Sequence, residues 1–403
     1  MNRTRQRSLN KIISVWKIIY YRFICTLIGI LAYPFFVLIN ARFLNMNVTR
    51  IGHFCMEPEC FIKEGILGMR KNFHGIILAP YNKVPNIRLL IYWKPYITII
   101  TSPLLRILLD PLWHNKLTMY DVQDYTSNIL NKSLLYPKIQ KAYFGRTPLL
   151  SLKELDYQRG WTTLQKLGIP KDAWFVCIHC REQGYDVFEE NQAYRSADIN
   201  NYFLTMEAIV KRGGWIIRMG DPTMKHIPQM HHVIDYAHLD IKSDWMDIFL
   251  CASCKFMIGG ASGLCQLSKV FDVPVIIVNM APMPTSLFLG QPCDIGIPKL
   301  VWSIKEKRYL NFKEIFNSPV GHFFRDYSYS DAGLKVLDNF PEDIKDVAIE
   351  MLNRLEGTAL YSDKDVQLQK RFKSLLNSNH CSYESNSRIG QDFLQKYEYL
   401  FND

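Results

Sequence analysis

Arginine residues close two short apolar runs of the chain, and their chemistry suits an anionic ligand. A run that is apolar on both faces and stops at polar residues is typical of a buried parallel strand. Arg181 and Arg218 each stand at the end of such a run. A guanidinium group matches a diphosphate in a bidentate manner, so the pair indicates a diphosphate site. The alternative is a salt bridge from either arginine to Asp186, Asp221 or Asp235.

A third apolar run ends in a glycine-rich turn, Ile258-Gly-Gly-Ala-Ser-Gly263, that leads into a predicted helix. Glycines such as Gly260 and Gly263 let the backbone approach a ligand, and the first N–H groups of a helix bind anions. Ser262 is either the helix cap or a phosphate donor. The turn lacks the spacing of a dinucleotide-binding fingerprint and the Gly-Lys-Ser/Thr of a P-loop. It therefore indicates a phosphate-binding turn only together with the arginines.

Metal-binding patterns are weak in this sequence. Asp363-Lys-Asp365 is the Asp-x-Asp within reach, and it lies at a predicted helix start, where aspartates act as caps. The pairs Cys177/Cys180 and Cys251/Cys254 are separated by about seventy residues, whereas compact structural zinc sites usually keep their pairs closer. We therefore expect no metal site and no cofactor, and we interpret the ten cysteines as free buried thiols in a reducing compartment.

The elements that would position these residues alternate between predicted strands and helices, the pattern of a doubly wound parallel sheet. We expect a membrane-attachment segment at 1–44, a Rossmann-like domain at 45–150, a second Rossmann-like domain at 151–335 and a helical region at 336–403. In the first domain a strand-like start at Val48 precedes a Gly52–His53 turn. His53 is then either a base at the sheet edge or a structural histidine.

The N-terminal segment combines positive charge with an apolar run. Residues 1–50 hold eight of the 48 basic residues and no acidic one, so the remaining 40 basic residues nearly balance 38 acidic ones. A globular body that is close to neutral argues against nucleic-acid binding. Phe23–Ile39 is uncharged and just long enough to span a bilayer, although Gly29 and Pro34 interrupt it. We expect membrane attachment, by a span or by an interfacial helix.

Five motifs in order resemble an uncharacterised bacterial glycosyltransferase family, over the chain from about Arg50 to its C-terminal helices. The motifs are Cys180-Arg-Glu-Gln-Gly-Tyr-Asp186, Tyr194-Arg-Ser-Ala-Asp198, Gly213-Gly-Trp-Ile-Ile-Arg-Met-Gly-Asp221, Val233-Ile-Asp-Tyr-Ala237 and Ser243-Asp-Trp-Met-Asp-Ile-Phe-Leu250. More distantly, His179-Cys-Arg181 and the stretch from Asp247 through Ser262-Gly263 are similar to the His-x-Arg and serine-bearing motifs of α1,6-fucosyltransferase-like enzymes. Here Ala-Ser-Gly replaces their Ser-Ser.

The resemblance implies a GT-B fold, in which two Rossmann-like domains face a cleft and the C-terminal one holds the donor. It implies that Arg181 and the turn at Ser262 hold a nucleotide diphosphate, and that Tyr194 and Arg195 lie on a loop covering the donor. Asp221 and Asp186 would meet sugar or ribose hydroxyls. The acceptor's base would come from the N-terminal domain, and His53 is the candidate.

The sequence thus predicts a membrane-associated, metal-independent and inverting glycosyltransferase at the cytoplasmic face of a bacterial inner membrane. It would transfer a sugar from a nucleotide-diphosphate sugar to a lipid-linked or surface-glycan acceptor. One alternative is a GT-B-like nucleotide-sugar epimerase or hydrolase. Another is a non-catalytic, membrane-attached glycan assembly protein. A Golgi-type enzyme with a lumenal domain is the alternative for localisation.

Overall fold

In the computed structural model, residues 2–125, 135–182, 191–283, 291–378, 380, 382–383 and 385–402 are described, with side chains from residue 19 onward. The chain divides into two compact units, Met1–Asp124 and Tyr125–Asp403. We call them unit 1 and unit 2 and describe each by itself. The division falls after residue 124, whereas the sequence placed the boundary between the two domains at 150.

Unit 1 is built on a four-stranded parallel sheet. Its elements are α1 (Asn2–Leu38), β1 (Ala41–Asn45), α2 (Ile51–Ile66), β2 (His74–Leu78), α3 (Ile87–Trp93), β3 (Thr98–Ile100), α4 (Pro103–Trp113) and β4 (Met119–Asp121). The strand order is β3-β2-β1-β4, and each pairing is parallel. The chain therefore steps outward from β1 to β3 and returns to the other side of β1, as in a Rossmann-like half.

The first strand lies earlier in the chain than expected. β1 starts at Ala41, inside the segment assigned to the membrane, and its Phe43 and Leu44 are buried. The strand-like start expected at Val48 is instead a turn, and α2 begins at Ile51. β1 was missed because only Ile39 and Asn40 separate it from α1, so it was included in the expected membrane segment.

Unit 2 contains a seven-stranded sheet and a separate three-stranded sheet. Its helices are α5 (Leu135–Tyr143), α6 (Glu154–Lys166), α7 (Phe203–Lys211), α8 (Asp244–Ser253), α9 (Gly263–Val270), α10 (Phe312–Phe316), α11 (Asp326–Asp331), α12 (Pro341–Leu355), α13 (Asp363–Ser374) and α14 (Gln391–Lys396). Its strands are β5 (Phe175–His179), β6 (Trp215–Arg218), β7 (Val233–Ile234), β8 (Met257–Gly259), β9 (Val275–Met280), β10 (Ile295–Pro298), β11 (Leu300–Ser303), β12 (Arg308–Tyr309), β13 (Leu334–Leu337) and β14 (Arg388–Ile389).

The large sheet is doubly wound. Its order is β14-β10-β9-β8-β5-β6-β7, and each pairing is parallel. From β5 the chain moves outward through β6 and β7, then returns to the other side of β5 with β8, β9 and β10. The strand order reverses between β5 and β8, and ligands of open α/β sheets bind at such a reversal, outside the carboxyl ends of the strands. The doubly wound sheet predicted for this part of the chain is confirmed.

The C-terminal region is part of unit 2 rather than an appendage. β14 pairs with β10 at the edge of the large sheet, and α12 packs against α7. The antiparallel sheet β12-β11-β13 was not predicted, because its strands are two to four residues long.

Candidate functional site

The candidate site lies at the carboxyl ends of β5 and β8, where the strand order reverses. His179 at the end of β5 is paired in register with Gly259 at the end of β8. A Cβ on Gly259 would lie 2.7 Å from Cys265 Sγ and 3.1 Å from the carbonyl oxygen of His179. Glycine is therefore required at position 259 for α9 to approach β5. The half-buried Arg181 follows two residues after β5.

The glycine-rich turn connects β8 to α9 at this same edge. The Ser262 amide donates to the Gly260 carbonyl at 2.7 Å, and Ser262 is the N-cap residue of α9, which begins at Gly263. Its hydroxyl donates to Cys265 Sγ at 3.5 Å and makes no capping bond to the helix backbone. A Cβ on Gly260 would meet only Val278 O, at 3.8 Å. The turn thus combines an open backbone position with the positive end of a helix dipole.

A short helical turn brings Tyr194 and Arg195 beside the glycine-rich turn. Arg195 Nη2 donates to the carbonyl oxygen of Ala261 at 2.5 Å. The Asp326 carboxylate accepts from the Ala193 and Tyr194 amides at 2.8 and 2.7 Å, which fixes this turn. Burial raises the pKa of Tyr194, and the nearby Arg195 and Arg181 oppose that shift. The structure therefore brings Arg181, Tyr194 and Arg195 to one place.

Arg218 forms salt bridges, which was the alternative to a diphosphate contact in the sequence analysis. Its guanidinium is fully buried and bonds Asp235 Oδ1 and Glu182 Oε1, each at 3.0 Å, together with the Lys225 carbonyl at 3.1 Å. Glu182 Oε2 in turn accepts from the Lys225 amide at 2.8 Å. Two carboxylates compensate the charge of Arg218, so a diphosphate would compete with both. We therefore correct the expected diphosphate contact of Arg218 to a structural ion-pair network.

Asp221 follows β6, the strand beside β5, and closes a local turn. Its Oδ1 accepts from the Thr223 amide at 2.9 Å. The side chain is half-buried, and its contact with a sugar or ribose hydroxyl stays a prediction. Asp186, for which the same contact was expected, lies outside the described residues.

His179 is a residue of this site to which the sequence analysis assigned no role. Its ring is buried, and Nδ1 has no hydrogen-bond partner among the described residues. Burial, with the positive charges of Arg218 and Arg181, lowers its pKa to about 4. The His179 imidazole is therefore neutral, with the positive charges of the two arginines nearby. Its position in the His-x-Arg motif was the available signal.

His53 lies in unit 1, in the first turn of α2 and after the carboxyl end of β1. Its Nδ1 is 2.7 Å from Oε1 of Glu57, whose side chain is fully buried. The Asn47 amide donates to Glu57 Oε2 at 3.1 Å and fixes that carboxylate. Because a carboxylate accepts, Nδ1 carries the proton and Nε2 is the basic nitrogen. A quarter of the His53 side chain is exposed. Sequence reasoning missed Glu57, although a spacing of four residues in a helix is the signal for such a pair.

Neither of the metal patterns weighed from the sequence forms a ligand cluster among the described residues. Asp365 closes a capping box with Ser362 at the start of α13, as expected of a cap. Cys177 donates to Leu250 O and Cys180 to Ala197 O, and burial raises the pKa of both thiols.

A different group has ligand atoms within 4.8 Å of one another: His226, Asp235 and His238. Asp235 Oδ1 of this group is bonded to Arg218. Asp235 Oδ2 lies 2.8 Å from His238 Nδ1 and accepts from the Ile227 amide at 3.3 Å, and His238 Nε2 lies 2.9 Å from the Met224 carbonyl oxygen. The described contacts of Asp235 and His238 are therefore those of a local hydrogen-bond network.

Comparisons with known proteins return structural likeness only. No family model matches the chain, and no curated protein matches it. A family 9 glycosyl transferase from Veillonella parvula has 10% identity and a TM-score of 0.42, with 64% of this chain and 85% of that chain covered. The E. coli ADP-heptose LPS heptosyltransferase II has 14% identity and a TM-score of 0.41, with 64% and 90% covered. The dodecameric iron-containing glycosyltransferase TibC from enterotoxigenic E. coli has 13% identity and a TM-score of 0.35, with 61% and 59% covered. The resemblance to α1,6-fucosyltransferase-like enzymes stays a prediction.

Proposed function

We propose that this chain is a glycosyltransferase that moves a sugar from a nucleotide-diphosphate donor to a lipid-linked or surface-glycan acceptor. One observation carries the proposal. Arg181, Arg195 and the glycine-rich turn before α9 meet where the order of the large sheet reverses, between β5 and β8. That position is where open α/β sheets bind nucleotides.

The chemistry of this site suits a departing diphosphate. When the bond between the anomeric carbon and the diphosphate oxygen breaks, negative charge grows on the phosphates. The first N–H groups of α9 are held by the helix before that charge appears, and Arg181 would supply a positive charge at the same edge of the sheet, so both would stabilise the leaving diphosphate. Arg195 acts by holding Ala261 O and hence the shape of the turn. Transfer of this kind needs neither a metal ion nor an organic cofactor from the protein.

We assign the general base to His53. The acceptor hydroxyl gives its proton to Nε2 as its oxygen bonds the anomeric carbon, and the diphosphate leaves from the opposite face with the bonding electrons. Direct displacement of this kind inverts the anomeric configuration. Glu57 holds the Nδ1 proton and stabilises the imidazolium that forms, as a buried carboxylate does beside a catalytic histidine.

The proposed membrane association of the chain supports a lipid-linked or surface-glycan acceptor. The window Ile19–Leu38 of α1 is long and apolar enough to cross a membrane, and 17% of it is buried. The preceding residues carry Arg3, Arg5, Arg7, Lys11 and Lys17. Since bacterial nucleotide sugars are cytoplasmic, we place the protein at the cytoplasmic face of the inner membrane. A Golgi-type arrangement would put the two units in a lumen.

A transfer assay tests the proposal. Full-length protein in lipid nanodiscs is incubated with nucleotide sugars and a bacterial lipid and glycan extract. We expect one donor to release its nucleoside diphosphate while an extract component gains the sugar mass. Release of the diphosphate without a glycosylated product would indicate a hydrolase. A sugar altered on the intact nucleotide would indicate an epimerase, and no reaction with any donor would favour the assembly protein.

A further inference from the structure

One face of α4 in unit 1 is strongly apolar and exposed. Leu104, Leu105, Ile107 and Leu108 have relative exposures of 65%, 43%, 71% and 63%. They occupy two turns of a single helix, whereas its Leu109, Leu112 and Trp113 pack on the core of the unit. Clustered exposed side chains of this size mark a surface that something else covers.

α1 packs directly beside α4. A stripe of α1 faces inward at helical spacing, formed by Cys25, Gly29, Ala32 and Phe36. Asn115, just after α4, donates from Nδ2 to the Cys25 carbonyl at 2.9 Å. A Cβ on Gly29 would lie 1.9 Å from that amide nitrogen, so glycine is required there for the two helices to pack.

The packing extends along most of the apolar window of α1. It runs from Tyr21, which is hydrogen-bonded to Asp110, to Phe36 in the sheet core. Fifteen residue steps of helix correspond to about 22 Å, against a hydrocarbon core about 30 Å thick. In this conformation α1 cannot pass through a bilayer without bringing α4 into contact with it.

The charged groups of α4 are engaged close to the helix. Arg106 lies over the Trp113 ring, 3.7 Å from its centroid, and its Nε is 3.8 Å from Asp110 Oδ1. The remaining outer face is aliphatic. The adjoining α1 carries six basic residues up to Arg22 and no acidic one. An apolar face beside a segment that is rich in basic residues and has no acidic one is complementary to an anionic lipid surface.

We propose that α4 is a second membrane-contacting element, whose aliphatic face enters the acyl region of an anionic bilayer beside α1. This inference rests on the proposed membrane association and extends it to the folded body of unit 1. The protein is then monotopic at this surface, with α1 packed on the rest of unit 1 rather than acting as an isolated tether.

The arrangement also gives the acceptor a route. α4 follows the carboxyl end of β3, and His53 follows the carboxyl end of β1. These strands are parallel and separated only by β2, so both elements start at the same edge of the sheet, about 10 Å apart in strand spacing. A lipid surface held by α4 would bring a lipid-linked acceptor to the edge that carries the proposed base.

Photolabelling tests the proposal on the full-length protein. The protein is reconstituted in vesicles of phosphatidylethanolamine and phosphatidylglycerol that contain a lipid with a photoreactive acyl chain. After irradiation, labelled peptides are located by mass spectrometry. We expect label on peptides from both α1 and α4, and none on peptides containing Leu155 or Leu360, which are exposed to 72% and 87% in unit 2. Label on α1 without label on α4 overturns the proposal.

A matched pair of variants gives a second measurement. Leu104→Ser with Ile107→Ser and Leu108→Ser removes the aliphatic face, and Leu155→Ser with Leu360→Ser removes comparable exposed side chains elsewhere. We expect release from the vesicles to become at least tenfold faster in the first variant and unchanged in the second. Equal release rates of the two variants would overturn the proposal. A changed oligomeric state of the α4 variant, with no photolabel on α4 of the unsubstituted protein, would also overturn it and would assign the aliphatic face to another copy of the chain. Nucleotide binding, measured separately, reports on the transferase proposal.

Discussion

Replacing Arg218 by alanine should destabilise unit 2 rather than selectively remove ligand binding. The guanidinium is fully buried between Glu182 and Asp235, whose side chains are exposed to only 12% and 18%. Removing one partner of such a pair leaves buried charge uncompensated, at a cost of about 3–5 kcal/mol. A change of 1 kcal/mol shifts the unfolding midpoint of a unit of this size by roughly 2–4 °C, so we expect a drop of roughly 6–20 °C.

The control is Arg212→Ala in the same unit. Arg212 pairs with Glu356 at 3.4 Å, and the two side chains are 41% and 37% exposed. An exposed pair of this kind contributes about 0–1 kcal/mol, so its midpoint should hardly move. The assay is thermal unfolding followed by circular dichroism, with nucleotide affinity measured at a temperature at which both variants are folded. An Arg218→Ala protein of normal stability that no longer binds nucleotide would refute the structural role and restore the expected diphosphate contact.

Four further outcomes are expected. Arg181→Ala should weaken nucleoside diphosphate binding by about tenfold or more in calorimetry, because a charge-assisted hydrogen bond is lost, and Arg181→Lys should recover part of it. His53→Ala should lower kcat by roughly 100-fold or more with nucleotide affinity unchanged, and Glu57→Gln should lower kcat less; unaltered turnover of His53→Ala would remove it as the base. Gly259→Ala should destabilise unit 2 by about 1–3 kcal/mol in denaturant titrations, because its Cβ would lie 2.7 Å from a buried sulfur. His179 is neutral in the folded protein, where its pKa is lowered to about 4 from 6.5. Its contribution to the free energy of unfolding is therefore fully present above pH 6.5 and is lost as pH falls toward 4. About 2 kcal/mol should be lost at pH 5, and His179→Asn should lose less; a pH-independent difference between the two proteins would contradict this.

The sequence predicted the large sheet because its strands end abruptly. The apolar runs before Arg181, Arg218 and Gly259 are buried on both faces, so the change to polar or glycine residues marks the strand ends correctly. Parallel pairing then brings Arg181 and the turn at Ser262 to one edge of the sheet. That part of the candidate site follows from strand ends alone.

Other features depended on contacts that a linear pattern does not encode. Glu182 lies next to Arg181 in sequence but pairs with Arg218, because the side chain of the neighbouring β6 strand reaches it. β1 follows the apolar helix after two residues, so the pattern of the sequence merged it with the expected membrane segment. Glu57 was given no role from the sequence, whereas its side chain is fully buried and contacts His53. In each case tertiary packing, rather than local propensity, decided the role.

The position of β1 also determines how the central claim must be tested. A protein cut at residue 44 would lose most of a strand in the middle of the sheet of unit 1, so full-length protein in nanodiscs is the material to use. Thermal unfolding is followed with UDP, GDP, CDP and ADP and their common sugars, for the unsubstituted protein, Arg181→Ala and Arg212→Ala. We predict that one nucleotide class stabilises the unsubstituted protein and Arg212→Ala but not Arg181→Ala. Stabilisation by no nucleotide, or stabilisation that Arg181→Ala retains in full, would contradict a diphosphate site between β5 and β8.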